Sequence, residues 1–498
     1  MMIPMNKFHR LMHVDVPRWL LKQNLQAPFF SQAHYLSSGT VAKSSSVPRI
    51  CVVGSGPAGF YTAQQLIKGH PELEVDIYEK LPVPFGLVRY GVAPDHPEVK
   101  NVINTFTKTA QNPRCSFIGN VCIGKDIHVK NLLQVYTAVV LAYGADKEKL
   151  LGIKGENLKG VYSAREFVAW YNGHPDHVDL PVNLDGQTAL VFGQGNVAID
   201  VARMLLKSPD MLKETDITPA ALNVLEKSQV KNVTLLGRRG PMEAAFTIAE
   251  FREMTKLPSV HTDLLESDFS EIAKIVDSIR PPRKRLMSLM CKIAGMPNSD
   301  GSCREFRLRF CRSPVEILPS ENDQEHVGGV KVMLNKLIKH PSGKVTSEPT
   351  GVTEDIPCDL VFRSIGYGGQ TIDEDIPFDL DRGVVKHERG RVHSMPGLYC
   401  SGWVKTGPVG VLVSTMNDSF DTGQTILQDL NDGILQPSEK HTGKEALLKQ
   451  LGDKSTQIVD FDGWLKIDKA EISRSSDSYP SPRIKIVNVD QMLKIALT

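Results

Sequence analysis

Two glycine-rich runs carry the chemistry open to this sequence. The first is Gly54-Ser-Gly56-Pro-Ala58-Gly59, with Glu79 twenty residues further on. The second is Gly193-Gln194-Gly195-Asn196-Val197-Ala198, with Arg238-Arg239 some forty residues later. The G-x-G-x-x-G spacing suits a pyrophosphate. Its first glycine permits a tight turn, its second lets the backbone approach the phosphates, and its third lets helix and strand pack closely. Free N–H groups at the start of the following helix then favour negative charge. A carboxylate at Glu79 accepts hydrogen bonds from both hydroxyls of a ribose. The arginine pair does the opposite work, because a guanidinium is a permanent cation whose planar fork matches phosphate oxygens.

The elements around both runs are those the chemistry needs. An apolar strand over 50–53 leads into the first run, a helix over 60–68 follows, and a strand over 75–78 delivers Glu79. The second run has a strand over 188–192, a helix over 197–207 with Ile199, Ala202, Leu205 and Leu206 inward, and a strand over 233–236 that delivers the arginines. Ala198 in place of a third glycine admits one methyl between helix and strand. Opposite chemistry at the two strand ends implies two different nucleotides. The acidic first site suits the adenosine ribose of FAD, and the basic second site suits the 2′-phosphate of NADPH.

Two similar apolar strands, each running into a glycine at Gly144 and Gly366, mark the crossover points of one domain inserted in another. The expected fold is therefore α/β, with two Rossmann-like dinucleotide-binding domains and the NADP domain inserted into the FAD domain. The expected boundaries are 49–146 and 367–498 for the two parts of the FAD domain and 147–366 for the NADP domain. The Pro- and Gly-rich stretch 81–97 reads as a loop at the carboxyl end of the first sheet, 99–110 as a helix, 117–129 as short strands, and 208–231 as a polar excursion. A further strand over 395–402 ends in Gly402-Trp403, where many FAD folds carry Gly-Asp. Gly407-Pro408-Val-Gly410 then opens a helix expected to run through Phe420.

Composition narrows the class. The chain has 498 residues, 41% hydrophobic and 23% charged, which is ordinary for a globular protein of two or three domains. A net charge of +1 argues against bulk nucleic-acid binding, and no apolar run approaches a membrane span. Eight cysteines lie at positions 51, 115, 122, 291, 303, 311, 358 and 400, and no two form C-x-x-C, which removes the usual redox dithiol, zinc and iron–sulfur patterns. No metal ligand set is expected. Residues 1–48 carry Lys7, Arg10, Arg18, Lys22 and Lys43 against Asp15 alone and are rich in serine, the composition of a mitochondrial transit peptide or a disordered tail.

Taken together, these motifs closely resemble the adrenodoxin reductase family, the mitochondrial-type NADPH:ferredoxin oxidoreductases. The resemblance rests on the two fingerprints, on Pro82-Val-Pro-Phe-Gly-Leu-Val-Arg89, on Ala93-Pro-Asp-His-Pro-Glu-Val-Lys100, on Gly237-Arg-Arg-Gly-Pro241 and on Gly402-Trp-Val-Lys-Thr-Gly-Pro408, and covers about 49–420. It implies FAD contacts at Ala58, Glu79, Leu87, Ile123, Trp403, Gly410, Val411 and Leu412, beside Gly54, Gly56 and Gly59. It implies NADP contacts at Gln194, Asn196, Val197, Arg238, Arg239, Glu250 and Gly410, beside Gly193 and Gly195. Thr406 stands where relatives often have Arg, and Ile123 where a close relative would have Val.

The family's partner is a small two-iron ferredoxin of adrenodoxin type that docks electrostatically. Arg252, Arg280 and Arg285 match its docking positions. The resemblance further implies a monomer in the mitochondrial matrix, with peripheral association at the inner membrane, that feeds steroid- and sterol-hydroxylating haem monooxygenases and iron–sulfur cluster assembly. Hydride would pass from NADPH to FAD, and single electrons from FAD to ferredoxin. His96 and Asp200 are candidates for relaying protons near the flavin. Three other classes compete. A disulfide reductase would need a dithiol, a flavin oxidase or monooxygenase would make peroxide without ferredoxin, and a nucleotide sensor would not be bleached by NADPH. The stretch after about 435 is polar and suggests no function.

Overall fold

In a computed structural model, residues 46–296, 304–453, 456–475 and 480–498 are described. The basic, serine-rich segment read as a targeting sequence lies, up to residue 45, outside the described residues.

Strands β1 (Arg49–Val53), β2 (Glu74–Tyr78), β3 (Cys115–Ile118) and β4 (Ala138–Leu141) form the parallel heart of a seven-stranded sheet. The chain then leaves through β5 (Lys147–Glu148) and builds a second, wholly parallel sheet from β6 (Val161–Ser163), β7 (Thr188–Phe192), β8 (Asn232–Leu236), β9 (Val260–Leu264) and β10 (Arg304–Arg309). An antiparallel annex of β11 (Arg312–Pro319), β12 (Val327–Lys339) and β13 (Val345–Pro357) follows, before β14 (Leu360–Arg363) returns to the second sheet. The path leads back through β15 (Tyr367–Gly368), which pairs antiparallel with β5. After the small ladder β16 (Phe378–Asp379) and β17 (Val384–Val385), strands β18 (His387–Glu388), β19 (Arg391–Val392) and β20 (Leu398–Cys400) complete the first sheet.

The two sheets repeat one plan. In the first the order is β20-β4-β1-β2-β3, and in the second β6-β14-β7-β8-β10. Thus β4 and β14, the two strands that end in glycine, hold equivalent places beside the fingerprint strands β1 and β7. Alternation sorts each strand between two faces, as the two-residue strand repeat requires. Ile50 and Val52 pack into one cluster while Cys51 and Val53 pack into another. Ala189 and Val191 face the helices of the second unit, and Leu190 and Phe192 face the annex with Ile317, Val330 and Val332.

Five expectations need correction. The stretch over 81–97 is not all loop, because Leu87–Tyr90 forms one helical turn in which Tyr90 N donates to the Gly86 carbonyl at 3.0 Å. The helix over 99–110 is two, Pro97–Lys100 and Ile103–Ala110, because i→i+3 bonds from Asn104 to Asn101 and from Thr105 to Val102 make a turn between them. Over 117–129 only β3 is a strand. Beyond it an isolated bridge joins Ile123 to Ile127, and Val129 starts the helix Val129–Val135. The excursion over 208–231 holds helices Pro209–Leu212 and Pro219–Glu226, whose Leu212, Ala221, Leu222 and Leu225 are buried in the second core. The polar C-terminal stretch contains helices Lys444–Asp453, Phe461–Ser473 and Val489–Leu497. They bury Leu447, Leu451, Trp464, Ile467 and Met492, and so complete the first unit's core.

Candidate active site

At the first fingerprint, Gly54 has φ +106°, and a Cβ there would stand 2.7 Å from the carbonyl oxygen of Ala142, just past β4. The turn is therefore closed to larger residues on that side. Around Gly56 the opposite holds, since a Cβ would meet nothing within 4 Å. That open face, at the start of helix Pro57–Gly69, is where a pyrophosphate fits. Glu79 is already organised. Its Oε2 accepts from Ser55 N at 3.1 Å and Ser55 Oγ at 2.7 Å, and its Oε1 accepts from Leu81 N at 3.2 Å. Ser55 was not singled out in the sequence, although its place inside the fingerprint was a signal. Ala58 is buried under Gly402, Leu87 is partly exposed, and Ile123 is buried in the core, so its main chain is what it can offer a ligand.

The second fingerprint repeats the geometry. Gly193 has φ +136° and packs on the Ser364 carbonyl at the end of β14, whereas the space at Gly195 is open. The Ala198 methyl is fully buried in the second core. A cleft of about 870 Å³ runs from this loop, past Arg238, Arg239 and Arg312, to Trp403 and the 408–411 segment. Arg238 is exposed and Arg239 half-buried, and neither guanidinium has an ion-pair partner among the described residues. Three buried polar atoms of residues lining the cleft also lack partners, the acceptors Oε1 of Gln194 and Oε2 of Glu243 and the donor Nε1 of Trp403. Unpaired buried donors and acceptors cost free energy, so walls that leave three such atoms are suited to a polar ligand.

The cleft's far wall is built by the segment around Gly402. The Trp403 ring lies 5.5 Å from that of Tyr367, which follows the return strand. Asp418 holds this corner, accepting from Gly402 N at 2.8 Å and from Lys405 Nζ at 2.7 Å. Ser414 folds back to accept from Val411 N at 2.8 Å and so starts the helix Leu412–Asn431, which is longer than expected. The start of a twenty-residue helix thereby faces the cleft.

His96, Asp200 and Glu250, far apart in sequence, come together around Arg203, which sequence reasoning overlooked. The Arg203 side chain is fully buried. It donates to Asp95 at 2.8 Å, Asp200 at 2.7 Å and Glu250 at 3.3 Å. His96 Nε2 lies 2.7 Å from Glu253 and 4.0 Å from Glu250. Burial opposes a charged His96, but the hydrogen bond to Glu253 and the nearby Asp95 and Glu250 outweigh it and raise its pKa. Burial raises Asp200 and Glu250 against the pull of Arg203 and His96. Asp95 goes the other way. Burial resists its charge, yet Arg203 and Lys207 bring it down to about 2. The oxygen and nitrogen ligands of Asp95, His96 and Glu253, and of His96, Asp200 and Glu250, are close enough to hold a cation. The Arg203 guanidinium already occupies the centre of that charge, however, and a cation there would be repelled. The arrangement instead keeps titratable protons in a buried network.

The three expected docking arginines, Arg252, Arg280 and Arg285, are all exposed. Within the run 280–285, Arg283 is spent on the Ala244 carbonyl at 2.6 Å and Lys284 on Asp277 at 3.0 Å. Arg280 and Arg285 have no ion-pair partner among the described residues.

Residues 48–240 match the family model for pyridine nucleotide-disulphide oxidoreductases. The chain is 48% identical over 486 residues to the mitochondrial NADPH:adrenodoxin oxidoreductase of Homo sapiens, covering 96% of each chain. It is 41% identical to the protein of the same name from Arabidopsis thaliana, covering 93% of this chain and 99% of that one. Among solved structures, Mycobacterium tuberculosis FprA in complex with NADPH superposes with a TM-score of 0.85 at 35% identity, over 91% of this chain and 100% of that chain.

Proposed function

The chain belongs to the NADPH:adrenodoxin oxidoreductase family, and from that footing we propose that it is an FAD flavoprotein that oxidises NADPH and reduces a small ferredoxin of adrenodoxin type. The observation that carries this reading is the shared cleft. Two unpaired arginines follow the second fingerprint at one end, and Trp403 with the 408–411 segment stands at the other. When bound, the two nucleotides supply hydride transfer and one-electron release, and the protein's task is to align them.

We assign that task as follows. Gly54, Gly56, Ala58 and Gly59 receive the FAD pyrophosphate, and Glu79, pre-set by Ser55, takes the ribose hydroxyls. Leu87, Ile123, Trp403, Gly410, Val411 and Leu412 bound the flavin, with the 412–431 helix start favouring negative charge beside it. Gly193, Gln194, Gly195, Asn196 and Val197 receive the NADP pyrophosphate. Arg238 and Arg239 take the 2′-phosphate, and Glu250 and Gly410 lie toward the nicotinamide end. In domain terms, 49–146 and 367–498 bind FAD and 147–366 bind NADP, with the β5–β15 pair as the join. His96 and Asp200 hold and move protons through the Arg203 network.

Arg252, Arg280 and Arg285 present positive charge to an acidic ferredoxin, which speeds encounter and makes it salt-dependent. The relatives' names place them in mitochondria, and we assign this chain to the matrix side, as a monomer able to work at the inner-membrane surface.

The test is anaerobic titration of the purified yellow protein with NADPH, followed by cytochrome c reduction with and without added ferredoxin. Stoichiometric bleaching and ferredoxin-dependent turnover are expected. A colourless protein, a flavin that NADPH does not bleach, or rapid peroxide formation without ferredoxin would overturn the reading.

A further inference from the structure

The turn that carries Arg238 and Arg239 is held by its carbonyls. Gly237 O accepts from Arg312 N at 2.9 Å, and Arg239 O accepts from Cys311 N at 3.1 Å and Gln194 Nε2 at 3.2 Å. Both amides belong to main chain at the start of the annex. Between these two carbonyls, Arg238 O accepts from a side chain instead, Asn335 Nδ2 at 3.1 Å.

Asn335 is itself fixed. Its amide nitrogen also donates to Ser313 Oγ at 2.7 Å, and its backbone N–H donates to the Cys311 carbonyl at 2.8 Å. Opposite it β13 carries a bulge, since Met333 faces Thr353 but Asn335 faces Pro349, and from within that bulge Thr350 Oγ1 donates to the Leu334 carbonyl at 2.8 Å. The two guanidiniums have no ion-pair partner of their own among the described residues, so their aim depends on the backbone that bears them.

We propose that Asn335, from the annex outside the Rossmann unit, is a positioning residue for coenzyme discrimination: it holds the Arg238 carbonyl and thereby keeps the Arg238–Arg239 pair aimed at a 2′-phosphate. The proposal rests on the reading of that pair as the 2′-phosphate site. A loose turn would leave adenine and pyrophosphate binding intact, because those contacts come from the fingerprint loop. The loss would fall on the 2′-phosphate alone.

The test uses FAD-loaded enzyme with Asn335→Leu, which keeps the branched shape and removes the donor, and with Asn335→Ala. The readouts are kcat and KM for NADPH and NADH with ferricyanide as acceptor, and dissociation constants for 2′,5′-ADP and 5′-ADP. Losing one neutral hydrogen bond corresponds to about a fivefold effect. KM for NADPH and the 2′,5′-ADP constant should both rise about fivefold, with kcat, KM for NADH and 5′-ADP binding little changed. Ser313→Ala should give a smaller shift in the same direction. Equal losses for both coenzymes, or no change, would refute the role of Asn335. Arg238→Ala with Arg239→Ala separates the two levels. If that variant loses the NADPH preference and Asn335→Leu does not, only the positioning role fails. If neither does, the 2′-phosphate site itself is misassigned.

Discussion

Arg89 and Glu471, 382 positions apart, form a buried two-pronged ion pair at 3.0 and 2.5 Å. Arg89 belongs to the short helix Leu87–Tyr90, and its guanidinium lies over the rings of Tyr90 and Trp464 at 5.1 and 5.2 Å. Glu471 is fully buried and also accepts from Ile486 N at 2.9 Å and Arg483 at 3.3 Å. The C-terminal helix Phe461–Ser473 thus clamps the short helix that carries Leu87, a residue proposed to contact the flavin. Removing one partner strands a buried charge, so Glu471→Gln should cost about 3–5 kcal/mol in urea denaturation and weaken FAD retention on dilution. Burial resists the Glu471 charge, but Arg89 and the Ile486 amide prevail and lower its pKa. Its stabilising contribution is therefore complete above the ordinary glutamate range and is lost as pH falls through the lowered value.

Asp216 is shared by two buried amines, Lys100 at 2.6 Å and Lys485 at 3.1 Å. Burial brings Lys485 down to about 7, with Lys100 and Arg89 adding repulsion that Asp216 offsets in part. Two cations on one carboxylate make the partners unequal. Asp216→Asn should cost about 3–5 kcal/mol, whereas Lys485→Met should cost less than half of that, since Lys100 still satisfies the carboxylate. Between pH 7 and the ordinary lysine value of 10.5, the unfolded chain holds the Lys485 proton that the folded one gives up. Stability from this group therefore rises with pH across that window, and the rise should vanish in Lys485→Met. Equal costs for the two variants would contradict this account.

His96 and Asp200 should govern the pH dependence of flavin reduction. Stopped-flow reduction by NADPH across pH 5–9 is expected to lose one ionisation in His96→Ala and to shift in Asp200→Asn. An unchanged profile would remove both from the proton path. The raised His96 value also makes a stability prediction. Its contribution is complete below the ordinary imidazole pKa of 6.5 and is lost as pH rises through the folded value, so His96→Ala should flatten the pH dependence of the urea midpoint on that side.

Trp403 offers a cleaner test of ligand contact. Its N–H has no partner among the described residues, so Trp403→Phe should leave apoprotein stability within about 1 kcal/mol. If the cleft is the flavin's, the same change should lower the stabilisation that FAD confers and shift the flavin absorbance. Identical FAD-induced Tm increases in the two proteins would place Trp403 away from the ligand.

Arg280→Glu with Arg285→Glu should slow ferredoxin reduction at least tenfold at low salt, leave reduction by NADPH intact, and converge with the unmodified protein as salt screens the encounter. A salt-independent defect would point to misfolding rather than docking.

Much of this architecture is written in short, contiguous signals. Gly54 to Gly59 and Gly193 to Ala198 are legible because a tight turn, an open face and a close helix contact each demand one residue type within six positions. Arg238 and Arg239 are legible because a strand end has a known place in the repeat. What was illegible needed partners from elsewhere. Arg203 reads as one more polar position on a helix until Asp95 arrives from the first unit, 108 positions earlier. The stretch after 435 reads as polar because its apolar residues are spaced sparsely, and only packing brings Trp464, Ile467 and Met492 onto one core.

By itself, then, the sequence determined that this chain carries two dinucleotide fingerprints with opposite charge at the strand ends that follow them, since those residues lie within one local repeat. The tertiary structure decided how the sites are joined and held: which short helix the C-terminus clamps, which charges share Asp216, and which annex residue grips the Arg238 carbonyl. Those pairings span tens to hundreds of residues, and no local spacing encodes them, because each depends on where two distant stretches of the chain meet.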